Sequence, residues 1–130
     1  MYEPDNCENI HQAISGIMSK VGYVQKQKSP NLSYTYAGEA ALIAAARPWF
    51  VEYGVLMYVA EVTDFHREQY TNSKGTVMTN VSIEGRVRFV HAKSGTYIDV
   101  TARSEGSDSG DKATNKALTG MYKYAIRQTL

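Results

Sequence analysis

A chain of 130 residues, 43% hydrophobic and 21% charged, is long enough for one domain with a modest core, and its composition excludes wholesale disorder. Its single cysteine, Cys7, excludes an internal disulfide bond and a multi-cysteine metal site. No apolar run approaches the roughly 20 residues of a membrane span, and no signal peptide opens the sequence. We therefore expect a soluble, cytoplasmic protein.

The net charge of +1 hides an uneven distribution along the chain. Residues 1–83 hold six Lys/Arg against eight Asp/Glu, a net charge of −2, whereas residues 84–130 hold eight against five, a net charge of +3. Basic character is therefore local. This pattern favours a groove or stripe for an anionic partner over a generally cationic surface.

The first half of the chain predicts two helices. Apolar residues at helical spacing indicate a helix from about Asn6 to Val21, which Gly22 should end. A polar stretch follows, with a turn signal at Ser29-Pro30-Asn31. A second, alanine-rich helix is predicted from about Gly38 to Tyr53.

Two features of this second helix carry further predictions. Pro48 lies inside the pattern and should kink or divide the helix, because proline cannot donate a backbone hydrogen bond. Its apolar residues are predicted to pack on a sheet: Ala41, Leu42, Ala45, Trp49 and Phe50.

Residues 55–105 change to a period of two, which predicts three antiparallel strands. The first runs from Val55 to about Tyr70, the second from about Thr76 to His91, and the third from Thr96 to about Ser104. Turns are expected at Asn72-Ser-Lys-Gly75 and Lys93-Ser-Gly95. The second strand alternates apolar residues with polar ones, so the meander should have one apolar face and one polar face.

The polar face of this sheet carries three arginines, Arg86, Arg88 and Arg103. Glu84 and Asp99 lie next to them, so cross-strand ion pairs are an equally good interpretation of these arginines. The open sheet also leaves two edges that can pair with another subunit, which favours an oligomer.

The last predicted helix follows Gly106-Ser-Asp-Ser-Gly-Asp-Lys112, where Asp108 or Ser109 can cap it and Asp111 adds negative charge to its first turn. An apolar stripe is formed by Ala113, Ala117, Met121, Tyr124 and Ala125. A second face carries cations within roughly 60° of one another: Lys112, Lys116, Lys123 and Arg127. Gly120 lies in the same arc and should leave room for a polyanionic backbone, although such cations also commonly solvate an outer helix face.

With helices before and after the sheet, the predicted class is α+β with the order α–α–β–β–β–α, in a single domain of residues 1–130.

Catalytic and metal-binding patterns are missing from the sequence. The glycines around Asp108 lack the spacing of a Walker A loop. Glu105, Asp108 and Asp111 could hold a magnesium ion, but acids before a helix more often cap it. The three histidines have no zinc-ligand spacing, and no nucleophile, base and orienting group come together. We therefore expect no cofactor, no metal and no enzymatic activity.

Several motifs together resemble the ERF (essential recombination function) family of phage single-strand annealing proteins. The most specific is Gly106–Lys112, followed by Lys116-Ala-Leu-Thr-Gly-Met-Tyr-Lys-Tyr-Ala125. Weaker pieces are Val21-Gly-Tyr23, Tyr34-Thr-Tyr36, Arg47-Pro48 and Glu52-Tyr-Gly54, and the resemblance extends from about Asn9 to Leu130.

The resemblance implies a function and a site. The β–β–β–α core of this family is similar to that of the ring-forming eukaryotic annealing mediator. The resemblance therefore implies ATP-independent binding of single-stranded DNA and annealing of complementary strands in homologous recombination, on a homo-oligomeric ring or filament. By this resemblance, Lys123 corresponds to a lysine in the DNA-binding groove of these relatives, and Arg127 follows one turn later. The strand arginines are assigned to that groove more loosely.

The resemblance also implies a phage protein in the host cytoplasm. The family usually continues past this point, so we expect a tail that binds a partner such as a single-strand binding protein or an exonuclease. Three other functions are possible: an RNA- or duplex-binding module that uses the same cations, a structural oligomer whose lysine helix binds an acidic protein surface or the tail, and a metal-dependent nuclease that would need magnesium, Asp108 and Asp111.

Overall fold

The computed structural model describes the backbone of residues 1–26 and 35–130 and the side chains of residues 1–21 and 40–130. After a 3-10 helix (Pro4–Asn6), the elements in chain order are α1 (Ile10–Lys26), α2 (Thr35–Glu52), β1 (Val55–Thr71), β2 (Val77–His91), β3 (Tyr97–Asp108) and α3 (Ala113–Thr129). The strands form one sheet in the order β1-β2-β3, so β2 is central. The predicted α+β class and the order of elements are confirmed. No described helix is long and apolar enough to cross a membrane.

The bounds of the two N-terminal helices differ from the prediction. α1 begins at Ile10 because Asn9 caps it: the Asn9 Oδ1 accepts a hydrogen bond from the Gln12 N–H at 3.0 Å. The predicted stop at Gly22 is wrong, since α1 continues to Lys26. A glycine inside a helix costs only about 1 kcal/mol, which the packing of the helix can offset. Pro48 lies within α2 without dividing it, and the turn predicted at Ser29-Pro30-Asn31 lies outside the described residues.

Both predicted hairpin turns are confirmed. Gly75 and Gly95 have φ angles of 82° and 73°, in the left-handed region that glycine adopts without strain. In the first turn the Asn72 side chain accepts hydrogen bonds from the backbone of Lys74 and Thr76. β3 extends to Asp108, beyond its predicted end at Ser104.

The chain divides into two compact units. The first comprises Met1–Tyr58, Arg88–Asp99 and Ile126–Leu130. In this unit α1 and α2 pack against each other. Phe50 of α2 meets Phe89 edge to face, with ring centroids 6.0 Å apart. The large apolar side chains buried in this unit include Ile10, Ile14, Ile17, Val21, Leu42, Phe50, Tyr53, Phe89 and Ile126.

The second unit comprises Val59–Val87 and Val100–Ala125, and its core lies between one sheet face and α3. Alternate residues of β2 and β3 are buried, among them Val81, Ile83, Val87, Ala102 and Ser104. The predicted apolar stripe of α3 is buried at Ala113, Ala117, Met121 and Ala125, while Tyr124 remains 38% exposed.

Candidate nucleic-acid interface

Two glycines bring α3 into close contact with the sheet. A Cβ at Gly106 of β3 would lie 2.7 Å from both the Ala113 O and the Ala117 N, so β3 approaches the backbone of α3 at this point. A Cβ at Gly85 of β2 would lie 3.1 Å from the Met121 Sδ. Any larger residue at Gly106 would therefore displace the helix that carries the predicted cations.

Gly120 also faces the sheet. A Cβ at Gly120 would lie 3.2 Å from the Ser104 Cβ and closer still to the Ser104 Oγ. The prediction that Gly120 leaves room for a polyanionic backbone is therefore wrong, because Ser104 occupies that space. The lack of a side chain at Gly120 serves the packing of α3 on β3.

The segment before α3 is organised by one carboxylate. Asp108 accepts hydrogen bonds from the backbone N–H of Gly110 at 2.8 Å and of Lys112 at 3.3 Å, and the Lys116 Nζ lies 3.0 Å from its Oδ1. These contacts, Lys116 first, hold the pKa of Asp108 below its ordinary value. α3 begins at Ala113, so neither Asp108 nor Ser109 is its N-cap. Asp111 also precedes α3. It therefore does not lie in the first turn of the helix, as we had expected.

The cations predicted for this helix differ in their surroundings, and Lys112 lies one residue before α3. Lys116 bridges Asp108 and the Ser107 O, at 3.0 Å from each. Lys112 is exposed and Lys123 is half-buried. Neither has an acidic partner within 4.0 Å among the residues with described side chains. Lys112 and Lys123 therefore retain their full charge for an external anion, whereas much of the Lys116 charge is already neutralised.

Arg127 is exposed in the last turn of α3, where a cation is favoured by the helix dipole. No acidic residue occurs anywhere in Ala113–Thr129. The helix itself is therefore purely cationic.

The strand arginines are paired with acids, which agrees with the interpretation of these arginines as members of ion pairs on the sheet. Arg86 contacts Glu61 at 2.6 Å, and Arg103 contacts Glu84 at 3.4 Å. Both pairs are largely exposed and each contributes less than about 1 kcal/mol. The polar face of the sheet in this unit is therefore close to electrically neutral.

Arg88 has the most elaborate surroundings of the three. Its guanidinium makes two hydrogen bonds to Asp99, at 2.8 and 3.0 Å, which raise the pKa of Arg88 above its ordinary value. It also lies 4.0 Å from the centre of the Tyr97 ring. These bonds fix the arginine in place. The negative charge of Asp99 also offsets the positive charge that Arg88 would present to an external phosphate.

In the second unit the predicted site residues lie on two surfaces. Ser104 and Gly85 point towards α3, so Arg103 and Arg86, which alternate with them, point to the opposite face of the sheet. The helix lysines and these arginines therefore do not line one groove within this unit. Arg88 and Arg127 belong to the first unit.

Two partners in these contacts could not be identified from the sequence. Glu61 pairs with Arg86 through a strand register that alternation alone does not specify. The contact between Asp108 and Lys116 joins a strand end to the first turn of the next helix, across a turn whose geometry the sequence leaves open. The only sequence signal for this contact is a carboxylate between two glycines, just before a helix that carries lysines. Within the described residues no three His, Cys, Asp or Glu side chains form a group that could hold a metal ion.

Comparison with known proteins identifies the family. Residues 10–130 match the family model described as the ERF superfamily. No curated protein sequence matches the chain significantly. The family match covers α1 to α3 and includes the whole sheet and both lysine-bearing turns of α3. The chain therefore belongs to the ERF superfamily.

Proposed function

We propose that this protein binds single-stranded DNA through the phosphate backbone and anneals complementary strands in homologous recombination, as a homo-oligomer and without ATP. Membership of the ERF superfamily over residues 10–130 supports recombination and annealing. The observation that carries the DNA-binding part is α3, a helix of 17 residues that contains cations and no acid.

The arrangement of charge supports backbone recognition over base recognition. Lys112 and Lys123 are point charges with no acidic partner among the described side chains, and ammonium groups neutralise phosphates without reading sequence. Annealing needs this kind of contact, because the Watson–Crick edges of the bound strand must stay free for pairing. The proposal therefore includes salt-sensitive and sequence-independent binding, with no catalytic step.

The sites proposed for the phosphates are unequal. Lys123 on α3 and Lys112 just before it are the main contacts, Arg127 lies one turn after Lys123, and Lys116 contributes less because it holds Asp108. Arg86, Arg88 and Arg103 are each engaged by an acid, so we assign them a secondary role.

An annealing assay tests this proposal. Two complementary oligonucleotides with a fluorophore and a quencher are mixed with the protein in the absence of nucleotide. The proposal expects annealing faster than the spontaneous reaction, at a rate that falls with added salt. Equal rates with and without the protein, at low salt, would exclude annealing. Competition by RNA or duplex DNA as effective as that by single-stranded DNA would instead favour a general nucleic-acid-binding module.

A further inference from the structure

A cluster of aromatic and charged side chains lies on the sheet face away from the core of the first unit. All three strands contribute to it: Tyr58 of β1, Arg88 of β2, and Tyr97 and Asp99 of β3. Arg88 alternates along β2 with the buried Phe89, so its side chain projects from the opposite face of the sheet. These four outward-facing residues form the Tyr97 cluster.

Arg88 is the fixed centre of the Tyr97 cluster. Its guanidinium makes two hydrogen bonds to Asp99, and its Cζ lies 4.0 Å from the centre of the Tyr97 ring. At that distance the guanidinium covers one face of the ring. The hydrogen bonds to Asp99 do most to raise the pKa of Arg88, and the Tyr58 hydroxyl adds a smaller effect, which places Tyr58 beside Arg88 as well. Contacts from both neighbouring strands therefore hold the cluster in one arrangement.

Both tyrosine rings of the cluster are accessible from solvent. Tyr97 is 52% exposed and Tyr58 is 46% exposed. Because Arg88 covers one face of the Tyr97 ring, the exposed part of this ring is its other face and its edge. Leu56, two residues before Tyr58 on the same side of β1, is also exposed and extends the apolar surface. The first unit therefore presents a flat aromatic surface that is already in position for a planar ligand.

The Tyr97 cluster has no net charge. In the strand segments 55–58, 88–91 and 97–99, the charged side chains apart from the buried His91 are Arg88 and Asp99, which neutralise each other. A phosphate gains little at this surface, because Asp99 repels it while Arg88 attracts it. A nucleobase is planar and uncharged, and bases stack on aromatic rings and on guanidinium planes. The chemistry of the cluster therefore fits a base and not the phosphate backbone.

We propose that Tyr97, with Tyr58 beside it, stacks on bases of single-stranded DNA, as a contact chemically different from the phosphate contacts of Lys112 and Lys123. This inference rests on the proposed function and adds a base-binding site to it. Stacking uses the flat face of a base and leaves its Watson–Crick edge free, so it is compatible with annealing. It is also independent of sequence, because every base has such a face.

The size of the surface favours a base over a protein partner. An aromatic side chain buries about 150–250 Å² when it is fully covered, so two half-exposed tyrosines and Leu56 together offer about 300 Å². A stable protein interface buries about 800 Å² on each partner. The Tyr97 cluster is therefore large enough for one or two stacked bases and too small to hold a second copy of the chain by itself.

A comparison of normal and abasic DNA tests the stacking contact. Fluorescence anisotropy measures the affinity of each protein for a labelled strand of thymidines and for an abasic strand of the same length. Tyr97→Ala removes the ring and Tyr97→Phe keeps it. Tyr70→Ala, which removes a tyrosine of similar exposure from β1 in the second unit, is the control.

We expect Tyr97→Ala to lower the affinity for the thymidine strand by about fivefold or more, which corresponds to the loss of one stacked base. Tyr97→Phe should restore most of this affinity, and Tyr70→Ala should stay close to wild type. On the abasic strand Tyr97→Ala and wild type should bind equally, because that strand carries the same phosphates and no bases. An equal loss of affinity on both strands would overturn the inference.

Salt dependence separates this inference from the proposed function. Tyr97→Ala should leave the slope of log affinity against log salt unchanged, because stacking releases no counterions. If wild type bound the thymidine strand in a salt-sensitive way and Tyr97→Ala bound it equally well, the inference would be overturned and the proposed function would stand. A wild type that bound no DNA even at low salt would overturn both.

Photo-cross-linking locates the contact directly. Irradiation couples an iodouracil base to an aromatic side chain that is stacked against it, and mass spectrometry then identifies the modified residue. We expect the adduct on Tyr97 or Tyr58, and adducts confined to other residues would overturn the inference. Sedimentation velocity without DNA tests a second copy as the alternative occupant. Self-association should be unchanged in Tyr97→Ala, and its loss would assign the Tyr97 cluster to a contact between copies instead.

Discussion

Replacement of Gly120 by alanine tests how α3 is held on the sheet, because its expected sign depends on what Gly120 faces. On an open helix surface alanine is favoured over glycine by about 1 kcal/mol. Here the new Cβ would lie 3.2 Å from the Ser104 Cβ and nearer to its Oγ. Overpacking of this kind costs about 1–3 kcal/mol, and the contact with two Ser104 atoms puts the cost in the upper half of that range.

The net expectation for Gly120→Ala is a loss of about 1–2 kcal/mol in the free energy of unfolding. For a domain of this size that corresponds to a fall in Tm of roughly 4–8 °C. Urea denaturation followed by circular dichroism measures the free energy, and a thermal melt measures Tm.

Ser104→Ala provides the matched control, because it removes the Oγ and keeps the backbone. In this background we expect Gly120→Ala to be close to neutral, so the double-mutant cycle should give a coupling energy of about 1–2 kcal/mol between the two positions. If Gly120→Ala raised the stability by about 1 kcal/mol, Gly120 would face solvent and the described packing of α3 on β3 would be refuted.

Three further predictions follow from the surroundings of α3 and the turns. The depressed pKa of Asp108 means that its carboxylate stabilises the fold at pH values above its ordinary pKa of 3.8, and that this stabilisation is lost as the pH falls through its lower folded value. Thermal melts from about pH 6 to about pH 2 should therefore show a Tm that depends less on pH for Asp108→Asn than for wild type. Parallel curves of Tm against pH would contradict the pairing. Lys116→Ala should reduce DNA affinity less than Lys112→Ala, since only Lys116 is held by an acid; filter binding decides, and the reverse order would remove the distinction between them. Gly75→Ala should destabilise the protein by about 1–2 kcal/mol because its φ is 82°, and a melt unchanged from wild type would show that the turn tolerates a side chain.

Elements whose apolar residues repeat with a clear period were predictable from the sequence. Alternation in β2 and the glycine turns at Gly75 and Gly95 specified the meander, because burial of one sheet face imposes a period of two. Helix ends were less predictable. Gly22 weakens a helix by only about 1 kcal/mol, so local sequence did not determine where α1 ends.

The candidate site was only partly predictable. Helical spacing placed Lys116, Lys123 and Arg127 on α3, since that depends on local geometry, but Lys112 lies one residue before the helix. Whether a cation is available depends on contacts between elements. Asp108 neutralises Lys116 and Glu61 neutralises Arg86, and both contacts depend on strand register and turn geometry that periodicity does not contain. The surroundings of Gly120 were not predictable for the same reason, because its neighbour Ser104 lies on another element.

The central claim is that Lys123, on a helix without acids, binds the backbone of single-stranded DNA. The most direct measurement is fluorescence anisotropy of a labelled single strand, titrated with wild type, Lys123→Ala and the control Lys93→Ala over a range of salt concentrations. Lys93 lies in the β2–β3 turn and is exposed. We expect weaker binding by Lys123→Ala and a slope of log affinity against log salt reduced by about 0.7, with Lys93→Ala unchanged. Equal affinity and slope for all three proteins would contradict it.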